Sequence, residues 1–425
     1  MTTTLLTGIS ELWTLDPALE DPQALPAGTT EGQVLTDAAL VIDSGRIAWT
    51  GPAVQAPAAD ERVDLGGRAV LPGWVDSHTH LMFAGDRSGE FEARMAGESY
   101  AAGGIAVTTG ATRVARDEDL LVLVRARIGE AARGGTTCLE TKTGYGLTVD
   151  EEARAARLLA QLHAAGEIDE ITYLGAHLVP AEYQGRAEEY VDLVTGPMLA
   201  AVRDAAGPVL RWIDVFCEDG AFDPEQSARV LHAGSEAGLG LRVHGNQLGR
   251  TGGAQLACEL GAASVDHLNH LEPSDIDALA GTASLSAAPG EAPGQLSAQQ
   301  GPTVATVLPA CDLSTRAPLA PARDLLDAGA RLAIASNCNP GTSYTSSMAF
   351  CVATAVLQMR LTLAEAVRAA TRGGALALRR DDVGHLGVGA RADLHVLDAP
   401  AAIHLAYRPG MPLTHAVWRR GTRIL

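Results

Sequence analysis

Between residues 69 and 335 the chain alternates short apolar runs with longer stretches whose apolar residues recur every three or four positions. The short runs fall at 69–75, 136–140, 171–176, 212–216, 241–244, 263–266, 304–308 and 332–335. Most are continuously apolar rather than alternating, the pattern of strands buried on both faces of a parallel sheet. The stretches between them, such as 117–133 and 149–165, predict amphipathic helices. Eight strands separated by helices predict a (β/α)8 TIM-like barrel. A doubly wound open sheet fits the same alternation. No Gly-x-Gly-x-x-Gly follows a strand, so its dinucleotide-binding form has little support.

The two ends of the chain read differently. Residues 4–9, 38–42 and 46–49 are short strand-like pieces, with Asp43-Ser44-Gly45 as a hairpin turn, and 392–398 and 416–425 repeat the style. They predict a small β-sandwich domain built from both termini, residues 1–68 and 382–425, around a barrel over 69–381. One stretch, 281–301, is rich in Ala, Ser, Pro, Gly and Gln. It predicts a mobile surface excursion in preference to an active-site lid.

Composition narrows the function. The 425 residues are 47% hydrophobic and 20% charged, a globular balance, and the formal net charge of −19 argues against binding nucleic acid or anionic membrane. Six scattered cysteines without a Cys-x-x-Cys pair predict reduced thiols. The first residues lack a basic segment leading into an apolar one, and no apolar window is long enough for a membrane span. The expected location is the cytoplasm. Lys142 is the sole lysine among 32 basic residues, which singles it out.

Candidate chemistry gathers where the predicted strands end. His78-Thr79-His80 follows the first; residues i and i+2 of an extended segment point the same way, so both rings can reach one divalent ion. An isolated His-x-His is more often a surface pair, but Glu140, Lys142, His177, His244, Gln247, His267, Asn337 and Asn339 also lie at or just beyond strand carboxyl ends, the catalytic face of a barrel. A centre of His78, His80 and His244 would offer three neutral nitrogens and an open position, suited to hydrolysing a C–N bond. Arg87 follows closely and is placed either to clamp a substrate carboxylate or to pair with Asp86. Asp266 is a candidate base or an orienting partner for His267. His163, His232, His385, His395, His404 and His415 read as structural or solvated.

Several segments together carry a resemblance: Pro72-Gly-Trp-Val-Asp-Ser-His-Thr-His-Leu, Phe83-Ala-Gly-Asp-Arg, Gly97-Glu-Ser-Tyr100, Glu140-Thr-Lys-Thr-Gly-Tyr-Gly-Leu, Gly175-Ala-His177 and Asn339-Pro-Gly-Thr-Ser. In this order, over nearly the whole chain, they resemble the imidazolonepropionase family of the metal-dependent amidohydrolases. The resemblance implies hydrolytic opening of 4-imidazolone-5-propanoate to N-formimidoyl-L-glutamate in histidine degradation, one zinc or iron ion per subunit, and a homodimer. It implies that His78, His80 and His244 ligate the ion. Arg87 would hold the propionate; Tyr145 and His177 would contact the ring; Asn339, Gly341 and Thr342 would line the pocket; and His267 would shuttle a proton. Two positions depart from the family pattern. Gln247 stands where glutamate is commoner, an amide still able to bond the substrate ring. Asn337 stands where the family commonly has an aspartate that approaches the metal and takes a proton from water; its carbonyl can ligate weakly, but asparagine cannot act as a base. That leaves two alternatives: a ligand-binding homologue of impaired activity, or an amidohydrolase for another cyclic amide or amidine.

Overall fold

The computed structural model describes residues 2–19, 33–97, 104–290, 292 and 294–425. Four strands open the chain: β1 (Thr4–Trp13), β2 (Val34–Asp43), β3 (Arg46–Pro52) and β4 (Glu61–Pro72). Eight parallel strands follow: β5 (Trp74–Asp76), β6 (Thr136–Lys142), β7 (Glu170–Ala176), β8 (Leu210–Cys217), β9 (Gly240–Gly245), β10 (Ser264–His267), β11 (Val304–Val307) and β12 (Leu332–Ile334). Three close it: β13 (Leu394–Leu397), β14 (Thr414–Arg419) and β15 (Thr422–Arg423).

The eight central strands lie side by side in chain order from β5 to β12. Beyond their ends the circle is joined by polar segments. Asn337 donates its backbone N–H to His78 O at 3.0 Å, and His80 donates to Cys338 O at 2.9 Å. Asp76 accepts from Ser336 Oγ at 2.6 Å and from its N–H at 3.0 Å. The seam of the barrel is thus also the place where the His78-x-His80 segment is fixed. The predicted helices stand at Asp117–Arg133 and Val149–Ala164, each burying an apolar stripe, as their periodicity requires.

The terminal strands form one seven-stranded mixed sheet, β15-β14-β13-β4-β1-β2-β3, over a second apolar core that includes Leu6, Leu12, Leu40, Val70, Leu394 and Trp418. The β2–β3 hairpin turns at Ser44 and Gly45, both at positive φ (52° and 77°), the geometry whose twist matches paired strands.

Residues 69–75, read as a single barrel strand in sequence, divide between the two sheets. Up to Pro72 the chain pairs with β13, and Gly73 N–H still bonds Asp393 O at 2.9 Å. One residue later Trp74 N–H bonds Gly135 O at 2.9 Å, and the chain has entered the barrel. Gly73 permits the crossing, because a Cβ there would lie 2.2 Å from Thr137 Oγ1. Apolar continuity cannot reveal such a division, since both halves are buried.

The described residues of 281–301 lie at the amino-terminal end of the strands, opposite the mouth. Pro289 bridges Leu296, Gln295 bridges Arg380, and Arg211 donates to Leu296 O at 3.1 Å. These residues close the barrel floor rather than forming a lid, because their backbone finds partners on the floor.

Buried ion pairs join the two sheets. Asp169 accepts from Arg391 at 2.6 Å and from Arg419 at 2.8 Å. Burial alone would raise its carboxyl, but Arg391, Arg419 and Arg380 overcome that and hold it well below the usual aspartate range. Asp169→Asn should cost about 3–5 kcal/mol in urea unfolding at pH 7, since it leaves buried guanidinium charge unmatched. A depressed carboxyl gives its stability above the unfolded-state value of about 3.9 and loses it as pH falls further. The gap between parent and variant should therefore narrow below about pH 4.

Candidate active site

Three imidazoles meet at the barrel mouth. His78 and His80 follow β5 and His244 lies near the end of β9; all are buried. His78 Nδ1 bonds Asp266 Oδ2 at 2.6 Å, and His244 Nδ1 bonds Asp214 Oδ1 at 3.0 Å. Each carboxylate accepts a hydrogen bond from Nδ1–H and so leaves the Nε2 lone pair facing inward. The Nε2 atoms of His78 and His244 stand 3.2 and 3.3 Å from His80 Nε2. Tetrahedral ligands at zinc–imidazole bond lengths are separated by about 3.3 Å. The spacing and the donor set therefore fit a divalent ion, and among the described residues this is the one such cluster of His, Cys, Asp and Glu.

The carboxylates behind the histidines are themselves held. Lys142 Nζ bridges Glu140 Oε1 at 2.9 Å and Asp214 Oδ2 at 3.0 Å, with all three side chains fully buried. Glu140 also accepts from the N–H of Thr79, the residue between the paired histidines. Arg242 reaches Asp266 at 3.2 Å. Burial works against both aspartates; His244 and Lys142 nevertheless hold Asp214 below its usual range, and Arg242 with Lys142 does so for Asp266. Desolvation, followed by neighbouring positive charge, depresses His78 and His80, so both are neutral and able to ligate. The sole lysine thus lies within the network that fixes the centre. Asp266, read in sequence as a base or a partner of His267, instead holds His78, because β10 directs its side chain into the barrel beneath that ring.

Beside the histidines opens a cavity of about 490 Å³ including its solvent-facing part, lined by His80, Arg87, Tyr145, His177, His244, Gln247, His267, Asn337, Asn339 and Thr342. Ten residues named from the sequence thus share one space. His78 sits behind the lining, and Gly341 packs behind Arg87, where a Cβ would lie 2.3 Å from Nη1. Of the resemblance segments, residues 98–100 lie outside the described residues. Ile105, Leu178 and Phe216 complete the wall. Sequence reading missed them, because an apolar residue at a strand or helix end resembles any core residue.

Within this space His177 Nδ1 bonds Gly144 O at 2.8 Å, which turns Nε2 away from the backbone. Its ring stacks on His80 at 5.3 Å and stands 5.4 Å from Tyr145. Burial lowers His177 to about 3, so it is neutral. Asn339 Oδ1 accepts from Gly341 N–H at 2.9 Å and Thr342 N–H at 2.8 Å, so its amide shapes the loop. Gln247 directs Nε2 toward Cys311 Sγ at 3.7 Å and donates its N–H to Glu218. Arg87 pairs with Glu90 rather than Asp86, which caps Ser88 N–H instead.

Asn337 stands at φ 52° and His267 at φ 90°, conformations that side chains adopt at a cost and that cluster where a site demands them. Asn337 Oδ1 and His267 Nδ1 are buried without a hydrogen-bond partner among the described residues. Among the described residues the cavity lining contains no carboxylate.

An eight-stranded parallel barrel with three converging imidazoles at its carboxyl end, backed by carboxylates, defines a metal-dependent hydrolase of the amidohydrolase type. Residues 69–421 match the amidohydrolase family. Over the full length of both chains the sequence is 65% identical to imidazolonepropionase of Micrococcus luteus. It is 62% identical to that of an Arthrobacter species, over 99% of each chain. Among solved structures, the zinc complex of atrazine chlorohydrolase from Arthrobacter aurescens is similar in fold, with a TM-score of 0.69 at 19% identity over 99% of this chain and 95% of that one. A zinc-bound adenosine deaminase from Xanthomonas campestris gives 0.66 at 19% identity over 99% and 92%. The chain belongs to the imidazolonepropionase family.

Proposed function

We propose that this protein opens the ring of 4-imidazolone-5-propanoate with water, yielding N-formimidoyl-L-glutamate. The observation that carries this reading is a cluster of three converging imidazole nitrogens beside one cavity that a buried arginine also lines, a match for a small heterocycle with an acidic tail. His78, His80 and His244 hold the ion, zinc or iron, with the Asn337 carbonyl as a weak further ligand. When bound, the ion polarises the substrate and makes water nucleophilic near neutral pH. Arg87 binds the propionate. Tyr145 and the inward Nε2 of His177 contact the ring, and Gln247, Asn339, Gly341 and Thr342 shape the wall around it. His267, neutral through burial, accepts the proton from water. The protein acts in the cytoplasm as a homodimer, which sedimentation would check; none of the described helices is long and apolar enough to cross a membrane.

Hydrolysis of 4-imidazolone-5-propanoate by protein of measured metal content tests the reading. Dialysis against a strong chelator should abolish turnover and lower the melting temperature, because three imidazoles are then left facing one another; zinc or ferrous iron should restore both. Full activity without metal would overturn the assignment. Asn337, with no carboxylate among the described residues of the cavity lining, favours one second reading, a binding homologue of impaired activity. It predicts ligand binding without turnover in the metal-loaded protein.

A further inference from the structure

Arg87 is nearly buried, and one edge of its guanidinium is already occupied. Nε donates to Glu90 Oε2 at 2.8 Å and Nη2 to Glu90 Oε1 at 2.7 Å, a bidentate pair one helical turn apart. The guanidinium is a rigid planar fork, so fixing the Nε/Nη2 edge fixes where the Nη1/Nη2 edge points. The side-chain hydrogen bonds of Arg87 among the described residues run from Nε and Nη2, and Arg87 lines the cavity.

Two glycines confine the pair. A Cβ on Gly341 would lie 2.3 Å from Arg87 Nη1. One on Gly104 would lie 2.2 Å from Glu90 Oε2 and 2.4 Å from Arg87 Nη2. These glycines come from distant segments, the start of the helix Ile105–Val114 and the loop after β12, yet both close on the same two side chains. Arg94, also buried, donates to Gly341 O at 2.9 Å and stands 3.9 Å from Glu90.

We propose that Glu90 is the positioning residue that turns the free edge of Arg87 toward the substrate's carboxylate. The inference rests on the reading of Arg87 as the propionate clamp. Glu90 does not touch substrate; it acts by holding Arg87 in its binding orientation before the ligand arrives, so that little ordering remains to be done on binding. The competing possibility is that Glu90 occupies the substrate's own place on Arg87 and must be displaced. Both explain the ion pair, but they predict opposite effects of removing Glu90.

Calorimetry on the metal-loaded protein separates them without requiring turnover. The probes are 3-(imidazol-4-yl)propanoate, which has the ring and acidic tail, and 4-methylimidazole, which lacks the tail. The parent should prefer the acid by about tenfold or more, as a charge-assisted bidentate contact implies. Glu90→Ala should weaken acid binding by about tenfold, leaving 4-methylimidazole within about twofold. Glu90→Gln, isosteric and still able to accept one bond from Arg87, should fall between parent and alanine variant. Acid binding that is unchanged or tighter in Glu90→Ala, while Arg87→Ala loses the preference, would overturn the positioning role alone. A parent without the preference, or one that keeps it in Arg87→Ala, would overturn the clamp and the inference together.

Discussion

Asn337→Asp is expected to raise turnover of 4-imidazolone-5-propanoate by about 10²-fold or more, the usual worth of a well-placed general base. Among the described residues Asn337 Oδ1 is buried without a partner, at the edge of a cavity with no carboxylate in its lining. Its backbone, at φ 52°, is in a region that aspartate, like asparagine, tolerates, and its N–H is bonded to His78 O. The substitution therefore changes charge and basicity while leaving shape alone. The neighbouring Cys311 cannot substitute as a base, because burial pushes its thiol up to about 12. A carboxylate beside three neutral imidazoles should also tighten the divalent ion. Steady-state kinetics at saturating metal, with metal affinity measured by chelator competition, checks both effects. Equal turnover in parent and variant would mean that proton removal by residue 337 does not limit the reaction.

The second large effect is expected at His267. His267→Gln should lower turnover by about 10²–10⁴-fold while leaving metal content near that of the parent. Its ring centroid lies 5.5 Å from that of His244 and 5.8 Å from that of His78, close to the centre but not part of the nitrogen cluster. Its strained φ of 90° holds the side chain at the mouth, and Nδ1 has no partner among the described residues. Burial keeps the ring unprotonated at neutral pH. Because residues 267 and 337 would act on the same proton, their effects should not add: in the Asn337→Asp background the loss at His267 should shrink. A loss of equal size in both backgrounds, or a loss of metal from His267→Gln, would assign His267 to holding the site instead.

Much of the molecule is legible in its sequence. The nearly unbroken apolarity of 171–176 and 332–335 marks strands covered on both faces, and β7 and β12 stand there. The periodicity of 117–133 places a helix with the same limits. The barrel site was legible through geometry alone. Strand ends with polar residues, one after another, are where a parallel barrel opens to water, so His78, His80, His177 and His244 were found without knowing any contact.

Other features depended on neighbours distant in sequence. Residues 69–75 look like one strand, but their backbone partners change from Asp393 to Gly135 within two residues. The 281–301 stretch has the composition of a free loop, yet the barrel floor supplies its hydrogen-bond partners. Asp266 adjoins His267 in sequence but serves His78, and Arg87 adjoins Asp86 but pairs with Glu90.

The sequence by itself determined the alternation of buried strands and amphipathic helices, the ring of polar strand ends, the His-x-His pair and the asparagine at 337. Those are set by local periodicity and residue chemistry. Only the tertiary structure decided which carboxylate orients which imidazole, how Lys142 ties Glu140 to Asp214, and which edge of Arg87 remains open. Directional hydrogen bonds and buried charges are satisfied by whatever the fold brings within about 3 Å, and chain order does not encode that proximity.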